Sequence, residues 1–468
     1  MRNLSTITHH AASFRDPSGF VFESDGILLR AVHPDAIADV ETLFSSGLHD
    51  ALVADGLLVA HRRPEIDSSL LPEGWMVLEP ERLPVISYAC EWTDSQLLAA
   101  ARLTLEVQRR ALKHGMSLKD ASSFNVQFLG AMPVFIDMLS FVRIEPVRAW
   151  PAYRQFCEHF LAPLALRRFQ PGAFSSTPTL DGIPLPVASR LLPAKTWLVL
   201  PLALHVHLHA ATTRAAEGKE RSGQARVDAA TTTEFRARLT ASLAAALKRV
   251  APQPIASPWT AYRANNVYST TSASTKLAFV KRVAAQTAAR RALDLGANDG
   301  HYALALVAMG VACTAVEVDS ACSERLYAMS SAAPYATALN VLRLDLTNPT
   351  PAHGWAHRER AAFAERLRCD LTLALALVHH LSITHQVPFE RIASFLAELA
   401  PNAIVEYVPV QDVMSQQLLS ARDGVTEAYL ETLSRPSFEA AFARWFDCRD
   451  RSESLEGGRT LYHFERSR

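Results

Sequence analysis

Apolar and polar positions follow two different rhythms along the chain. From residue 280 onward, short apolar runs at 292–295, 312–318, 341–344, 371–376 and 403–407 are separated by stretches with helical spacing. That alternation predicts a parallel sheet with helices on both faces. The first half reads differently. Residues 18–33 hold two apolar runs joined by Ser24-Asp25-Gly26, which predicts a β-hairpin. Helical spacing follows over 35–60. Residues 94–114 repeat apolar positions every three to four residues until Gly115, predicting a long amphipathic helix. The stretches 125–129 and 133–136 flank Gly130 and predict a second hairpin, with helix again over 150–170. Residues 211–232 are polar and small with little periodicity, as a linker would be. A helix is expected at 233–250, before Pro252, Pro254 and Pro258 break the chain.

The pattern implies an α/β protein in three stretches. Residues 1–210 form an N-terminal α+β domain, 211–258 a linker with a connecting helix, and 259–468 a C-terminal doubly wound, Rossmann-like domain. Composition agrees and adds limits. The 468 residues are 49% hydrophobic and 20% charged, which excludes disordered, collagen-like and disulfide-scaffold proteins. Forty-seven basic and 47 acidic residues leave a net charge of zero, so a general polyanion-binding surface is not expected and nucleic acid is a disfavoured partner. The six cysteines form no C-x-x-C pair and read as scattered, reduced thiols. The first twenty residues contain no apolar core of a signal peptide. The most apolar run, 196–210, contains Pro201 and three histidines and falls short of the roughly 20 residues a span needs. A cytoplasmic protein without a membrane partner is expected.

The most informative chemistry lies at 290–320. The run at 292–295 leads into Gly296-Ala297-Asn298-Asp299-Gly300 and then a helix. Two glycines allow a tight turn and close approach of a ligand to the backbone, and a helix start favours negative charge. The next run ends at Glu317, 21 residues after Gly296, where an acid can accept both hydroxyls of a ribose. A dinucleotide fingerprint would need glycines at 298 and 301, but those positions hold Asn298 and His301.

The pattern is instead D-x-G-x-N-x-G, beginning at Asp294. It resembles motif I of the class I S-adenosylmethionine-dependent methyltransferases. Three further stretches match that family in order: 341–345 ending in Asp345, 370–381 with its His379-His380-Leu381, and 403–409. The segments 344–355, 373–396 and 404–412, with 87–101 and 114–141 in the first half, resemble a bacterial two-domain methyltransferase family that includes nodulation-associated proteins. The resemblance implies S-adenosylmethionine as cofactor. Glu317 would hold the ribose, Asp345 the adenine amino group, and Asp294 with the 296–300 backbone, Asn298 included, the methionine part. His379 and His380 lie where such enzymes face their acceptor, and a neutral imidazole there could take a proton from a hydroxyl or amine. Tyr268-Ser269 are candidates for covering the cofactor. Glu406 reads as a strand-end residue near the cleft with no assigned role. The acceptor, a small molecule or a protein, is not identified by the motifs.

A second constellation sits in the first half. Asp120 and Asn125 are spaced D-x-x-x-x-N after the long helix, and Asp137 closes an apolar run 12 residues later. This looks like the catalytic loop and metal-binding aspartate of kinase-like phosphotransferases, in which such residues orient a hydroxyl and hold magnesium. The 19–33 hairpin lacks the glycine-rich loop, and its only basic residue is Arg30. The alternatives are therefore a bifunctional phosphotransferase–methyltransferase using ATP and magnesium, a degenerate kinase-like domain, an unrelated α+β fold, and a non-catalytic nucleoside-binding scaffold. His205, His207 and His209 would share a face on a strand, as a metal site requires. On a helix only His205 and His209 would, and no metal centre is expected.

Overall fold

Ser24, Asp25 and Gly26 reverse the chain because Asp25 and Gly26 both take the left-handed backbone, at φ 51° and 77°. In the computed structural model this hairpin belongs to a five-stranded antiparallel sheet. Its strands are β1 (Thr8–His9), β2 (Gly19–Ser24), β3 (Ile27–Val32), β4 (His61–Arg62) and β5 (Met76–Pro80), in the order β1-β2-β3-β5-β4. Helices α1 (Pro34–Ser45) and α2 (Leu48–Ala54) follow the hairpin, and α3 spans Asp94–Lys113. A capping box starts α3: the Thr93 side chain accepts from Gln96 N at 3.1 Å, and Thr93 N donates to Gln96 Oε1 at 2.9 Å. Its apolar face carries Leu97, Ala100, Ala101, Leu105 and Val107 into the core beside the fully buried Trp92. The structure describes residues 2–3, 6–67, 71–145, 150–171, 179–216, 229–254, 256–261, 270–332 and 335–467. Tyr268 and Ser269 lie outside them.

The chain divides into two units. One comprises Met1–Leu129, Pro133–Gln253 and Ala352–Arg360, the other Gly130–Met132, Pro254–Pro351 and Ala361–Arg468. Residues 200–216 of the first unit are helical, with a π-turn at Ala203–Leu208, so the strand reading of the three histidines does not hold. Helix also covers His209–Ala216 and α4 (Ala229–Arg249), both partly within the stretch expected as linker. Alanine and arginine favour helix there without an apolar stripe to announce it.

The second unit holds a seven-stranded sheet. Its strands are β6 (Arg291–Leu295), β7 (Ala312–Glu317), β8 (Leu339–Arg343), β9 (Leu371–Ala374), β10 (Asn402–Tyr407), β11 (Phe446–Arg451) and β12 (Thr460–Arg466). The order is β8-β7-β6-β9-β10-β12-β11. The five strands expected from the sequence are parallel, and β12 and β11 add antiparallel at one edge. Successive residues of β6, β7, β9 and β10 are buried, so both faces of the sheet are covered. Helices α5 (Thr270–Gln286), α6 (His301–Val307), α7 (Ser320–Ser330), α8 (Phe389–Leu399) and α9 (Val413–Ser420) supply the cover. Chain order reverses between the adjacent strands β6 and β9. A crevice opens at their C-terminal ends, where ligands of doubly wound sheets bind. Among the described residues no helix is long and apolar enough to cross a membrane.

Candidate functional site

The crevice is a cavity of about 620 Å³ whose walls come from the strand ends. After β6 the backbone enters the left-handed region three times, at Gly296 (φ 73°), Asn298 (φ 48°) and Gly300 (φ 73°). Asparagine is among the few side chains that tolerate this conformation, which is why it can stand between two glycines. A side chain at either glycine would have to displace a leucine. A Cβ on Gly300 would stand 2.2 Å from Leu326 Cδ1, and one on Gly296 would press Leu377 Cδ1 at 3.3 Å.

All the cofactor residues expected from the sequence except Gly300 line this cavity: Asp294, Gly296, Asn298, Glu317 and Asp345. Asp294 is the most unusual. Its carboxyl is buried, Oδ2 has no hydrogen-bond partner among the described residues, and burial pushes its pKa up to about 7. Glu317 is 7% exposed, accepts Asn298 N on Oε2 (2.7 Å) and Asp319 N on Oε1 (2.8 Å), and is also shifted upward by burial. Two accepted bonds leave lone pairs on each oxygen for a ligand. Asp345 is exposed, with Oδ1 accepting Thr347 N (2.8 Å) and Thr347 Oγ1 (2.7 Å).

The two histidines diverge. His380 lines the cavity edge-on to the Trp259 ring, 5.7 Å between centroids, and burial lowers its pKa to about 4. His379 is buried, with its ring centroid 4.2 Å from that of His380. Neither of its ring nitrogens has a hydrogen-bond partner among the described residues, and burial holds it neutral. Only His380 is therefore placed to meet a molecule in the cavity.

A buried charge network went unread in the sequence. Glu406, fully buried on β10, accepts from Lys276 Nζ of α5 at 2.5 Å, from Arg459 Nη1 at 3.4 Å and from Ala376 N at 2.9 Å. Ala376 takes φ 47°, so this bond holds a strained turn at the cavity wall. Arg459 also forms two 2.8 Å bonds to Asp412, whose Oδ1 caps α9 by accepting Met414 N at 2.9 Å. Lys276, Ala376, Glu406 and Met414 all line the cavity, so one carboxylate ties three of its walls. A glutamate inside an otherwise apolar strand was the available signal, since such residues are buried only when paired.

In the other unit, Asp120, Asn125 and Asp137 come into one neighbourhood. Asn125 Nδ2 donates to Ser140 Oγ (3.1 Å), which donates to Asp137 Oδ2 (2.5 Å), while Asp120 Oδ1 accepts Ser122 N (2.8 Å). Asp137 Oδ1 is already taken by the Arg30 guanidinium at 2.7 Å, with both side chains mostly buried. The arginine and the Ser140 hydroxyl help hold the Asp137 carboxyl below its usual range, against the upward pull of burial. Burial raises the pKa of Asp120. Among the described residues no group of three or more histidines, cysteines or acids is arranged to hold a metal ion.

No family model matches the chain. The N-methyltransferase NodS of Bradyrhizobium japonicum WM9 is similar over 42% of this chain and 98% of its own, at 10% identity and a TM-score of 0.31. The bifunctional kinase-methyltransferase WbdD is similar over 46% of this chain and 43% of its own, at 13% identity and a TM-score of 0.31. The likeness to the nodulation protein NoeA of Rhizobium meliloti (strain 1021) runs from end to end. The two are 33% identical over 476 residues, covering 98% of this chain and 96% of that protein. The chain belongs to the family of the nodulation protein NoeA.

Proposed function

We propose that the C-terminal unit transfers a methyl group from S-adenosylmethionine to a small-molecule or protein acceptor. The observation that carries this reading is the buried Asp294 carboxyl, which lines the cavity with one oxygen lacking a partner among the described residues. A cationic group would satisfy it, and burial of an acid without such a group is costly. Asp294 and the backbone of 296–300 would hold the charged methionine part, Glu317 the ribose hydroxyls and Asp345 the adenine amino group. When bound, S-adenosylmethionine supplies a methyl made electrophilic by its sulfonium.

This chain's own residues place and deprotonate the acceptor. With its pKa near 4, His380 is a neutral imidazole at pH 7 and would accept the proton that the acceptor hydroxyl or amine loses. His379 would support it from behind. Orientation of the two reactants in the cavity would supply most of the rate. We assign the Asp120–Asn125–Asp137 set a binding or structural role and not phosphotransfer, because Arg30 occupies Asp137.

Titration calorimetry with S-adenosylmethionine and S-adenosylhomocysteine tests the reading. Binding of both is expected, and binding of neither would overturn it. Binding of the cofactor without methylation of any acceptor would favour a nucleoside-binding scaffold.

A further inference from the structure

The most apolar run of the chain, 196–210, has no part in the proposed methyl-transfer site, and its polarity is inside out. Its imidazoles point inward. His205 is fully buried, hydrogen-bonded to Tyr153 Oη at 2.7 Å and Ser242 Oγ at 2.8 Å. His207 is 1% exposed, hydrogen-bonded to Ser189 Oγ at 2.8 Å and Thr196 Oγ1 at 2.9 Å. Its leucines point outward: Leu198 is 89% exposed, Leu200 77%, Leu204 47% and Leu208 49%. Leu191 and Trp197 are half exposed, and the Trp197 ring is stacked on His207 with centroids 4.4 Å apart. Between residues 196 and 213 there is no Asp, Glu, Lys or Arg.

The inner face of this helical run is core, with Leu202, Val206 and Ala210 fully buried. An outward helix face made of leucines with no charged residue beside it calls for a cover as the inner face does. Contiguous apolar patches above a few hundred Å² mark interaction surfaces, and the exposed side chains here offer roughly 700 Å². Each partner of a standard-size interface buries about 800 Å².

We propose that this face is covered by a second copy of the chain across a twofold axis. Leu200, Leu204 and Leu208 recur every fourth residue and form one ridge, and an i±4 ridge packs into the groove beside an identical one. A twofold interface needs such a self-complementary patch. A helix lying on a lipid surface would instead turn a charged face to water, and the opposite face here is protein core.

Sedimentation velocity on the full chain at micromolar concentration tests this, independently of any cofactor. A species of twice the chain mass is expected. The double variant Leu200→Glu/Leu204→Glu should leave no detectable dimer while keeping the wild-type far-ultraviolet circular dichroism. Leu198→Glu, at the most exposed position, gives the same readout should the double variant fail to fold. A wild-type monomer overturns the proposal, as does a dimer that survives these substitutions. A monomer that co-sediments with phosphatidylcholine–phosphatidylglycerol vesicles also overturns it and assigns the face to lipid.

Discussion

Replacing Glu406 by alanine removes the one carboxylate that Lys276, Arg459 and the Ala376 amide share. The Lys276 side chain is 6% exposed and that of Arg459 4%, so neither charge can turn to water without moving a wall of the cavity. The 2.5 Å bond from Lys276 is lost together with the longer 3.4 Å bond from Arg459, whose two bonds to Asp412 remain. Breaking one side of a buried pair costs about 3–5 kcal/mol. For a unit of this size, 1 kcal/mol corresponds to about 2–4 °C in Tm, so a fall of roughly 6–20 °C is expected for its transition by scanning calorimetry. Glu406→Gln keeps an acceptor for the Ala376 amide and should fall between wild type and Glu406→Ala. The double variant Lys276→Met/Glu406→Leu removes both charges and should recover most of the loss, because replacing a buried ion pair by apolar residues of similar volume is often neutral. A Glu406→Ala protein within about 1 kcal/mol of wild type would refute the reasoning.

Three other outcomes follow from the site geometry. Asp294 has a folded pKa of about 7 against an ordinary 3.8. The folded state therefore binds the extra proton between those values, and this contribution, about 4 kcal/mol at most, is full below pH 3.8 and lost as pH rises through 7. Urea titrations should show Asp294→Asn flattening that decline, and an unchanged slope would mean the carboxyl is ionised in the fold. Glu317→Ala should weaken S-adenosylhomocysteine binding by about 1–3 kcal/mol in calorimetry, and unchanged affinity would remove Glu317 from the site. Arg30→Ala should destabilise the N-terminal unit by about 1–3 kcal/mol in urea, since it strips Asp137 of its cation. Thermal stabilisation of the wild type by ATP and magnesium, abolished by Asp137→Ala, would instead reinstate phosphotransfer.

Why some of this was legible in the sequence and some was not comes down to distance along the chain. The strands β6 to β10 could be read because each is a short apolar run in a sheet whose two faces are covered by helices, and burial writes itself into composition. Strands β11 and β12 could not. The edge strand Phe446–Arg451 reads FDCRDR, and of its six residues only Phe446 is buried; the rest of the core there comes from its partner's Leu461, Tyr462 and Phe464. The turn at 296–300 was legible for a local reason as well, because glycine and asparagine are the residues that accept a positive φ.

The unread part of the site is made of pairs that only the fold closes. Lys276 and Glu406 are 130 residues apart, and Arg459 and Glu406 are 53 apart. Lys276 and Arg459 are unremarkable in their own segments. Glu406 alone departs from its surroundings, being the one acid in a strand where every other residue is apolar except the terminal Asn402. A buried acid in such a strand demands a cation, but sequence cannot say whether that cation is a ligand or a side chain. Here it is Lys276 and Arg459, and so the charge at β10 is spent within the protein. Asp294 poses the same demand, and one of its oxygens meets no partner among the described residues. The contrast between these two buried acids, one answered by the fold and one lining the cavity, is the reason the proposed place for a cationic group is the end of β6 and not the end of β10.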